Sequence, residues 1–305
     1  MSNDGKERSS ASRSRLFEVT DAQRRDLSRD PKPPRYLGSA SRNRRVSPVK
    51  PYFEREGVRL YLGDCRDVLA ELNETFDVVL TDPPYASGAR RDADRQVRGS
   101  MLRSLENADW FSHDAMTTWG FAWFMRSVAT QLRPRLARGA HVYVFADWRM
   151  TPTVYGMLEA TGYRVNHCLV WAKTVFGMGT YWRNQHENII FASNGTPSEM
   201  ARRDLGTVLT FPSVPNEKRI HPTEKPVPLL KQVLSATSPT GLILDPFGGS
   251  GSCGEAALNL GRRAVLIELE ELHAENAAKR LELAALPVFT DMDGDQLSLG
   301  GFCSE

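Results

Sequence analysis

Cysteine is scarce and unpaired in this chain: Cys65, Cys168, Cys253 and Cys303 are the only four in 305 residues, and they lie far apart. That spacing supports neither a disulfide framework nor a zinc cluster, and it favours a reducing compartment. Uninterrupted apolar runs of about 18 residues are missing, which excludes a membrane-spanning helix. The N-terminus lacks the hydrophobic stretch of a secretory signal, so a soluble, unexported, cytoplasmic protein is expected. The one conspicuous glycine loop, Asp245–Gly251, has no Gly-Lys-Ser/Thr ending, which argues against a nucleoside triphosphate site. His186-Glu187 lacks the second histidine of a zincin motif, and His221 has no second His or Cys at a ligand's spacing. No metal is therefore expected.

Charge is nearly balanced at +2, but it is unevenly spread. Residues 1–50 hold 13 basic against 6 acidic side chains, or +7, which leaves −5 for the remainder. Such a Ser- and Arg-rich, aromatic-poor segment cannot bury enough surface to order itself; it is either a disordered arm that attracts phosphates or a solvated tail. Beyond it, seven strand-like runs recur, at Val58–Leu62, Phe76–Leu80, Val142–Phe145, Cys168–Trp171, Asn188–Phe191, Leu242–Leu244 and Ala264–Ile267. Helix-compatible segments at Cys65–Leu72, Phe121–Leu136, Pro152–Ala160, Val227–Leu234, Ser252–Leu260 and Leu269–Ala284 separate several of them. This alternation predicts an α/β domain over residues 51–286, a mainly parallel sheet with helices on both faces, and ligands gathered at the strands' carboxyl ends. Two stretches break the rhythm. Residues 86–114, with Arg90, Arg91, Arg95, Arg98 and Arg103, and residues 194–220, rich in Gly, Pro and charge, read as binding loops or lids, or else as disordered surface. The tail at 287–305 is expected to fray.

Three motifs carry chemistry. Thr81-Asp82-Pro83-Pro84-Tyr85 closes the Phe76–Leu80 run. An exocyclic amine on a nucleobase is a poor nucleophile, because its lone pair is delocalised into the ring. Hydrogen bonds from its two hydrogens to the Asp82 carboxylate and a backbone carbonyl such as that of Pro83 favour a pyramidal nitrogen and stabilise the positive charge that a methyl group brings. The prolines fix the turn and remove competing N–H donors, and Tyr85 offers a ring on which an extruded base can stack. An ordinary strand-end turn is the alternative. The second motif, Asp245-Pro246-Phe247-Gly248-Gly249-Ser250-Gly251, lets backbone approach a ligand and precedes a helix whose positive end suits an anionic group. Glu268 follows the next strand at the spacing of a ribose-binding carboxylate, as in a generic dinucleotide site. The third, His221-Pro222-Thr223-Glu224-Lys225-Pro226, leads into a helix.

In this order the motifs resemble the β arrangement of amino-methylating DNA methyltransferases, from about Val58 to Ala284. Related protein and small-molecule methyltransferases usually place the glycine loop first. The resemblance implies a Rossmann-like, mixed but mainly parallel seven-stranded sheet and S-adenosylmethionine as cofactor. Asp82, Pro83, Pro84 and Tyr85 match the catalytic motif. Asp64, within Leu60–Cys65, matches the aspartate that contacts the cofactor's adenine; Glu268 matches the ribose carboxylate. His221, Thr223 and Lys225 fall in the segment over the methionine end, and Asp245, Phe247, Gly248, Gly249, Ser250 and Gly251 in the cofactor loop. Leu169–Lys173 and Arg183–Glu187 resemble segments lining the target-base pocket. Arg90, Arg91 and Arg95, just after Tyr85, are expected at the mouth where DNA enters. The chain departs from the family at Ala86, where asparagine often stands, and in a short target-recognition segment at 194–220. The implied reaction is direct methyl transfer to adenine N6 in double-stranded DNA. Cytosine N4 is the alternative, disfavoured by aspartate where serine is frequent, and a non-catalytic DNA-binding protein is the other. Cytosine C5 chemistry needs a nucleophilic cysteine after proline, which is lacking. A homodimer and a cognate restriction endonuclease are partners this family allows, in a prokaryotic or phage-encoded setting.

Overall fold

Alternating burial builds the sheet. Along the strand Phe76–Thr81, Phe76 and Val79 face one apolar cluster while Val78 and Leu80 face another, and the strand Leu136–Ala146 repeats the pattern with Val142 and Val144 against Tyr143 and Phe145. A sheet buried on both faces needs this two-sided apolar content. In the computed structural model, which describes residues 49–84, 117–177, 181–215, 217 and 224–285, nine strands join in one sheet. They are β1 (Phe53–Arg55), β2 (Val58–Leu62), β3 (Phe76–Thr81), β4 (Leu136–Ala146), β5 (Arg164–Ala172), β6 (His186–Ser193), β7 (Val208–Thr210), β8 (Ile243–Asp245) and β9 (Ala264–Glu268), in the order β1-β2-β9-β8-β3-β4-β6-β5-β7. The stretch from β2 through β9, β8 and β3 to β4 is parallel; β6 runs antiparallel to β4 and β5, so β5 points the same way as β4.

All seven expected strands are present. The count rises to nine because β1 pairs antiparallel with β2 and β7 parallel with β5, each a three-residue edge strand. β7 lies inside the 194–220 stretch that reads as irregular. The helix expected to reach Leu136 stops at Leu132, and Leu136 opens β4 after a short 3-10 turn. The basic arm (all but residues 49 and 50), Tyr85, the 86–114 insertion with Arg90, Arg91 and Arg95, His221, Thr223 and the 287–305 tail lie outside the described residues.

Helices α1 (Cys65–Glu71), α2 (Thr118–Leu132) and α3 (Thr151–Ala160) cover one face. Their starts are fixed locally: the carboxylates of Asp64 and Asp147 accept from the backbone N–H of Arg66 and Met150 at 2.8 and 2.7 Å, and Thr117 accepts from Gly120 at 3.1 Å. Helices α4 (Val227–Ser235), α5 (Ser252–Leu258) and α6 (Glu271–Ala284) cover the other face, with Leu229, Leu230, Val233, Cys253, Ala256 and Ala274 facing the sheet. Arg55 of β1 and Glu282 of α6 form an ion pair, so the first described strand and the last helix lie side by side.

One side chain sets how β3 and β8 meet. Asp77 accepts a hydrogen bond from the backbone N–H of Leu242 at 2.8 Å, while its own N–H donates to the Leu242 carbonyl at 3.0 Å. Leu242 is 6% exposed, so water is poorly placed to replace the carboxylate. Asp77→Ala is expected to destabilise the fold by about 1–3 kcal/mol, the usual cost of a buried donor left unmade. Asp77→Asn, which keeps an acceptor oxygen, should lose well under half of that; urea unfolding of the two variants measures the difference.

Candidate active site

Because β2, β3, β8 and β9 are parallel, their carboxyl ends share one edge of the sheet, and each delivers an acidic residue there. Asp64 follows β2, Asp82 follows β3, Asp245 ends β8 and Glu268 ends β9. An open cleft lies at this edge, lined among others by Asp82, Phe145, Lys225, Asp245, Phe247 and Gly248 to Ser250. Two motifs more than 160 residues apart in the chain are in direct contact: Thr81 Oγ1 donates to Asp245 Oδ1 at 2.7 Å, across neighbouring strands.

The glycine loop is held by its own backbone and by Glu268. Gly248 N–H donates to the Ile267 carbonyl at 2.7 Å, Gly249 N–H to Glu268 Oε2 at 2.7 Å, and Glu270 N–H to Glu268 Oε1 at 2.9 Å. At Gly251, φ is 79° and an added Cβ would lie 3.0 Å from that of Ala277, so glycine is required both for conformation and for the packing of α6. The start of α5 is already dressed with side chains: Arg280 donates to Ser252 Oγ at 2.6 Å, Ser252 and Ser250 are 2.9 Å apart, and Arg280 pairs with Glu224. These contacts pin the segment before α4 against α5 and α6. Asp64, besides capping α1, receives the Arg66 guanidinium on both oxygens.

A chain of alternating charges leads from β5 and β6 to the cleft. Lys173 Nζ donates to Glu187 Oε1 at 2.6 Å, Glu187 Oε2 lies 3.3 Å from Lys225 Nζ, and Lys225 Nζ donates to Asp82 Oδ2. The Lys225 ammonium also sits 5.2 Å from the centre of the Phe145 ring, and Lys173 lies 4.7 Å from that of Trp171. Burial works against the charge on Lys225, yet Asp82 and Glu187 outweigh it and leave its pKa raised. Burial likewise opposes the charge on Glu187, but Lys225 and Lys173 bring its pKa down. Asp245 behaves in the opposite way. Burial pushes its pKa up to about 8, the Thr81 and Phe247 hydrogen bonds offset part of that, and the charges of Asp82 and Glu268 add to it. Burial also drives the Cys253 thiol well up, which leaves this cleft-lining sulfur without thiolate character.

Beyond Lys173 the β5–β6 connection continues as a hairpin. Lys173 and Gln185 bond across it, Gly177 N–H donates to the Asn184 carbonyl at 2.6 Å, and Arg183 donates to the Gly177 carbonyl at 2.9 Å while covering the Phe176 ring. Its described residues Phe176, Tyr181 and Trp182 are exposed, the last two at 94%. The hairpin leaves β5 at the same edge as Asp82.

Of the residues singled out from the sequence, Asp82, Lys225, Asp245, Phe247, Gly248, Gly249 and Ser250 line the cleft; Gly251 and Glu268 support its loop, Pro83 and Pro84 follow Asp82, and Asp64 caps α1 on the same edge. Glu187, Lys173, Glu224 and Arg280 were not among those candidates. Glu187 and Lys173 were visible only as parts of pocket-lining segments, and Arg280 carried no motif signal. Among the described residues, no group of three or more His, Cys, Asp or Glu is placed to hold a metal ion, and no helix is long and apolar enough to cross a membrane.

Known proteins share this architecture. Residues 76–279 match the sequence model of the DNA methylase family that groups N6 and N4 methyltransferases. The chain is 32% identical over 225 residues to the methylase-family protein YubD of Escherichia coli (strain K12), covering 73% of this chain and 89% of that one. It is 25% identical over 264 residues to the type II methyltransferase M2.MboI of Moraxella bovis, covering 79% and 93%. Among solved structures, the fold is similar to M1.HpyAVI in complex with SAM (TM-score 0.56, 21% identity, 73% and 98% covered) and to the cytosine-N4-specific PvuII DNA methyltransferase (TM-score 0.60, 16% identity, 76% and 88% covered). With the matched region spanning β3 to α6, this chain belongs to the N6/N4 DNA methylase family.

Proposed function

We propose that the chain transfers a methyl group from S-adenosylmethionine to the N6 amine of adenine in double-stranded DNA. The observation that carries this reading is the shared cleft: the carboxylate of Asp82 and the glycine loop of Asp245 to Gly251 open into the same space, joined by the Thr81–Asp245 hydrogen bond. The loop suits a nucleoside, since Gly249 lines the cleft without a Cβ to hold a ligand off its backbone, and a carboxylate, Glu268, stands behind it. S-adenosylmethionine would supply an electrophilic methyl group there. Asp82 and the carbonyl of Pro83 accept hydrogen bonds from the target amine, hold its lone pair towards the methyl, and stabilise the charge that develops on nitrogen. In this reading Tyr85 stacks on the extruded base, His221 and Thr223 complete the cofactor site, and Arg90, Arg91 and Arg95 border the DNA entrance. Asp245, which keeps its proton into the neutral range, leaves Asp82 as the charged acceptor rather than one of two repelling carboxylates. The exposed rings and Arg183 of the β5–β6 hairpin give the same edge a surface that suits bases and phosphates.

Aspartate at the head of the Asp-Pro-Pro-Tyr motif favours adenine over cytosine. Asp82→Ala is expected to lower methyl transfer by about 10²–10³-fold or more, the cost of removing a transition-state acceptor, with S-adenosylmethionine affinity retained. Tritium transfer and calorimetry check the two halves; near-normal turnover removes Asp82 from the reaction. Methylation-aware sequencing of DNA from cells expressing the wild type should report N6-methyladenine, whereas N4-methylcytosine overturns the choice of base. Glu268→Ala should weaken S-adenosylmethionine binding by about tenfold or more, as loss of a charged hydrogen bond does. An unchanged calorimetric affinity refutes its place in the cofactor site.

The Asp245 carboxyl also predicts a pH dependence of the free protein. Its folded pKa of about 8 lies above the ordinary carboxylate value, so its stabilisation is fully present below about pH 4 and is lost as pH rises through about 8. Asp245→Asn should flatten this alkaline-side decline. Thermal melts from about pH 5.5 to 8.5 test it, and an unchanged slope in the variant refutes the assignment.

A further inference from the structure

The catalytic carboxylate is not idle before substrate arrives: the Lys225 ammonium donates to Asp82 Oδ2, one of the two oxygens available to a target amine. An ammonium on this carboxylate neutralises the charge that should act on the amine, and the entering N–H groups compete for the same lone pairs. Lys225 is 6% exposed, so it cannot simply swing into water. A second acceptor is already within reach. Glu187 Oε2 lies 3.3 Å from Lys225 Nζ, is buried, and accepts no hydrogen bond among the described residues. At 3.3 Å this contact is longer than the one Lys225 makes with Asp82. Glu187 itself is anchored by Lys173 through Oε1 and by its place in β6, so it cannot follow Lys225 towards Asp82.

We propose that Lys225 is a positioning residue that passes from Asp82 to Glu187 as the target amine enters, so that the unsatisfied Glu187 oxygen receives the ammonium and Asp82 regains its charge for the amine. This assignment rests on the amino-methylation reading above and adds Glu187 to it as the acceptor that releases the catalytic carboxylate. No proton moves in the exchange; Lys225 remains an ammonium and only its acceptor changes. Phe145 faces the same nitrogen and cushions its charge in both positions.

The test is a double-variant cycle on the full chain, read by single-turnover methyl transfer, by DNA and S-adenosylmethionine affinities, and by 2-aminopurine fluorescence at the target. Glu187→Gln removes the charge that draws Lys225 away, so the rate should fall by about tenfold or more with both affinities changed less than about twofold. Lys225→Met leaves no ammonium to be displaced. Adding Glu187→Gln to it should therefore cause no further loss, and the double variant should be at least as fast as Glu187→Gln alone. Glu187→Asp, which restores the charge, should recover part of the rate. Equal and additive losses from the two substitutions overturn the exchange, as does a rate loss in Glu187→Gln matched by loss of base extrusion or of cofactor affinity. If Lys225→Met does not fold, failure of Glu187→Asp to improve on Glu187→Gln overturns it equally. Transfer by the wild type with any of these results condemns this assignment alone, whereas no transfer by the wild type to DNA of mixed sequence overturns the activity and the assignment together.

Discussion

A single buried hydrogen bond, from Thr81 on β3 to Asp245 on β8, couples the two halves of the candidate site. Its geometry depends on the two strands being parallel neighbours with matched carboxyl ends, and that match is set at their other ends by Asp77 and Leu242. The sheet is therefore a ruler. A shift of one residue in the β3–β8 register would turn Asp82 or Asp245 to the opposite face, and no adjustment of loops would restore their shared cleft. Burial on both faces, by α1, α2 and α3 on one and α4, α5 and α6 on the other, holds that register.

Gathering four acidic residues on one edge creates repulsion that the surrounding cations and protons must answer. Three different solutions operate side by side. Asp64 is neutralised by Arg66, Asp82 by Lys225, and Asp245 by retaining a proton, while Glu268 accepts one hydrogen bond on each oxygen from the backbone of Gly249 and Glu270. The cations differ in kind as well. Arg280 is locked among Glu224, Glu255 and Ser252, as a planar fork with several donors suits a fixed joint. Lys225, a compact charge on a flexible stem, sits between two carboxylates. A multi-donor joint and a single point charge between two acids are thus supplied by different chemistry within 60 residues of chain.

Much of this was legible in the sequence because it depends on local pattern. The apolar runs of β2, β3, β4, β8 and β9 have no competing helical period, and Asp82 and Asp245 stand immediately after or at the end of such runs. The strands β1 and β7 were not legible, since three residues carry too little alternation, and β7 is set in a polar segment. Leu136 was absorbed into the preceding helical pattern because the Arg-Pro-Arg turn that separates it from α2 continues the helical sense for one more turn. At Lys225 the position was readable but the direction of the side chain was not: its partners come from β3 and β6, and only tertiary pairing brings Asp82 and Glu187 to it. Arg280 is the clearest case of a hidden residue. It lies on a helix whose exposed face is full of charges, and its burial against Glu224 follows from how α6 packs on α5.

The ion pair between Arg55 and Glu282 joins the first described strand to the last helix, so the domain closes on itself. A domain whose first described strand and last described helix touch could be opened elsewhere and rejoined without moving the described residues of the candidate site. The order in which the Asp82 and Asp245 motifs are spelled out would then be a matter of where translation starts, not of the chemistry. The geometry at the sheet edge depends on which strands are neighbours and not on the order in which they are made.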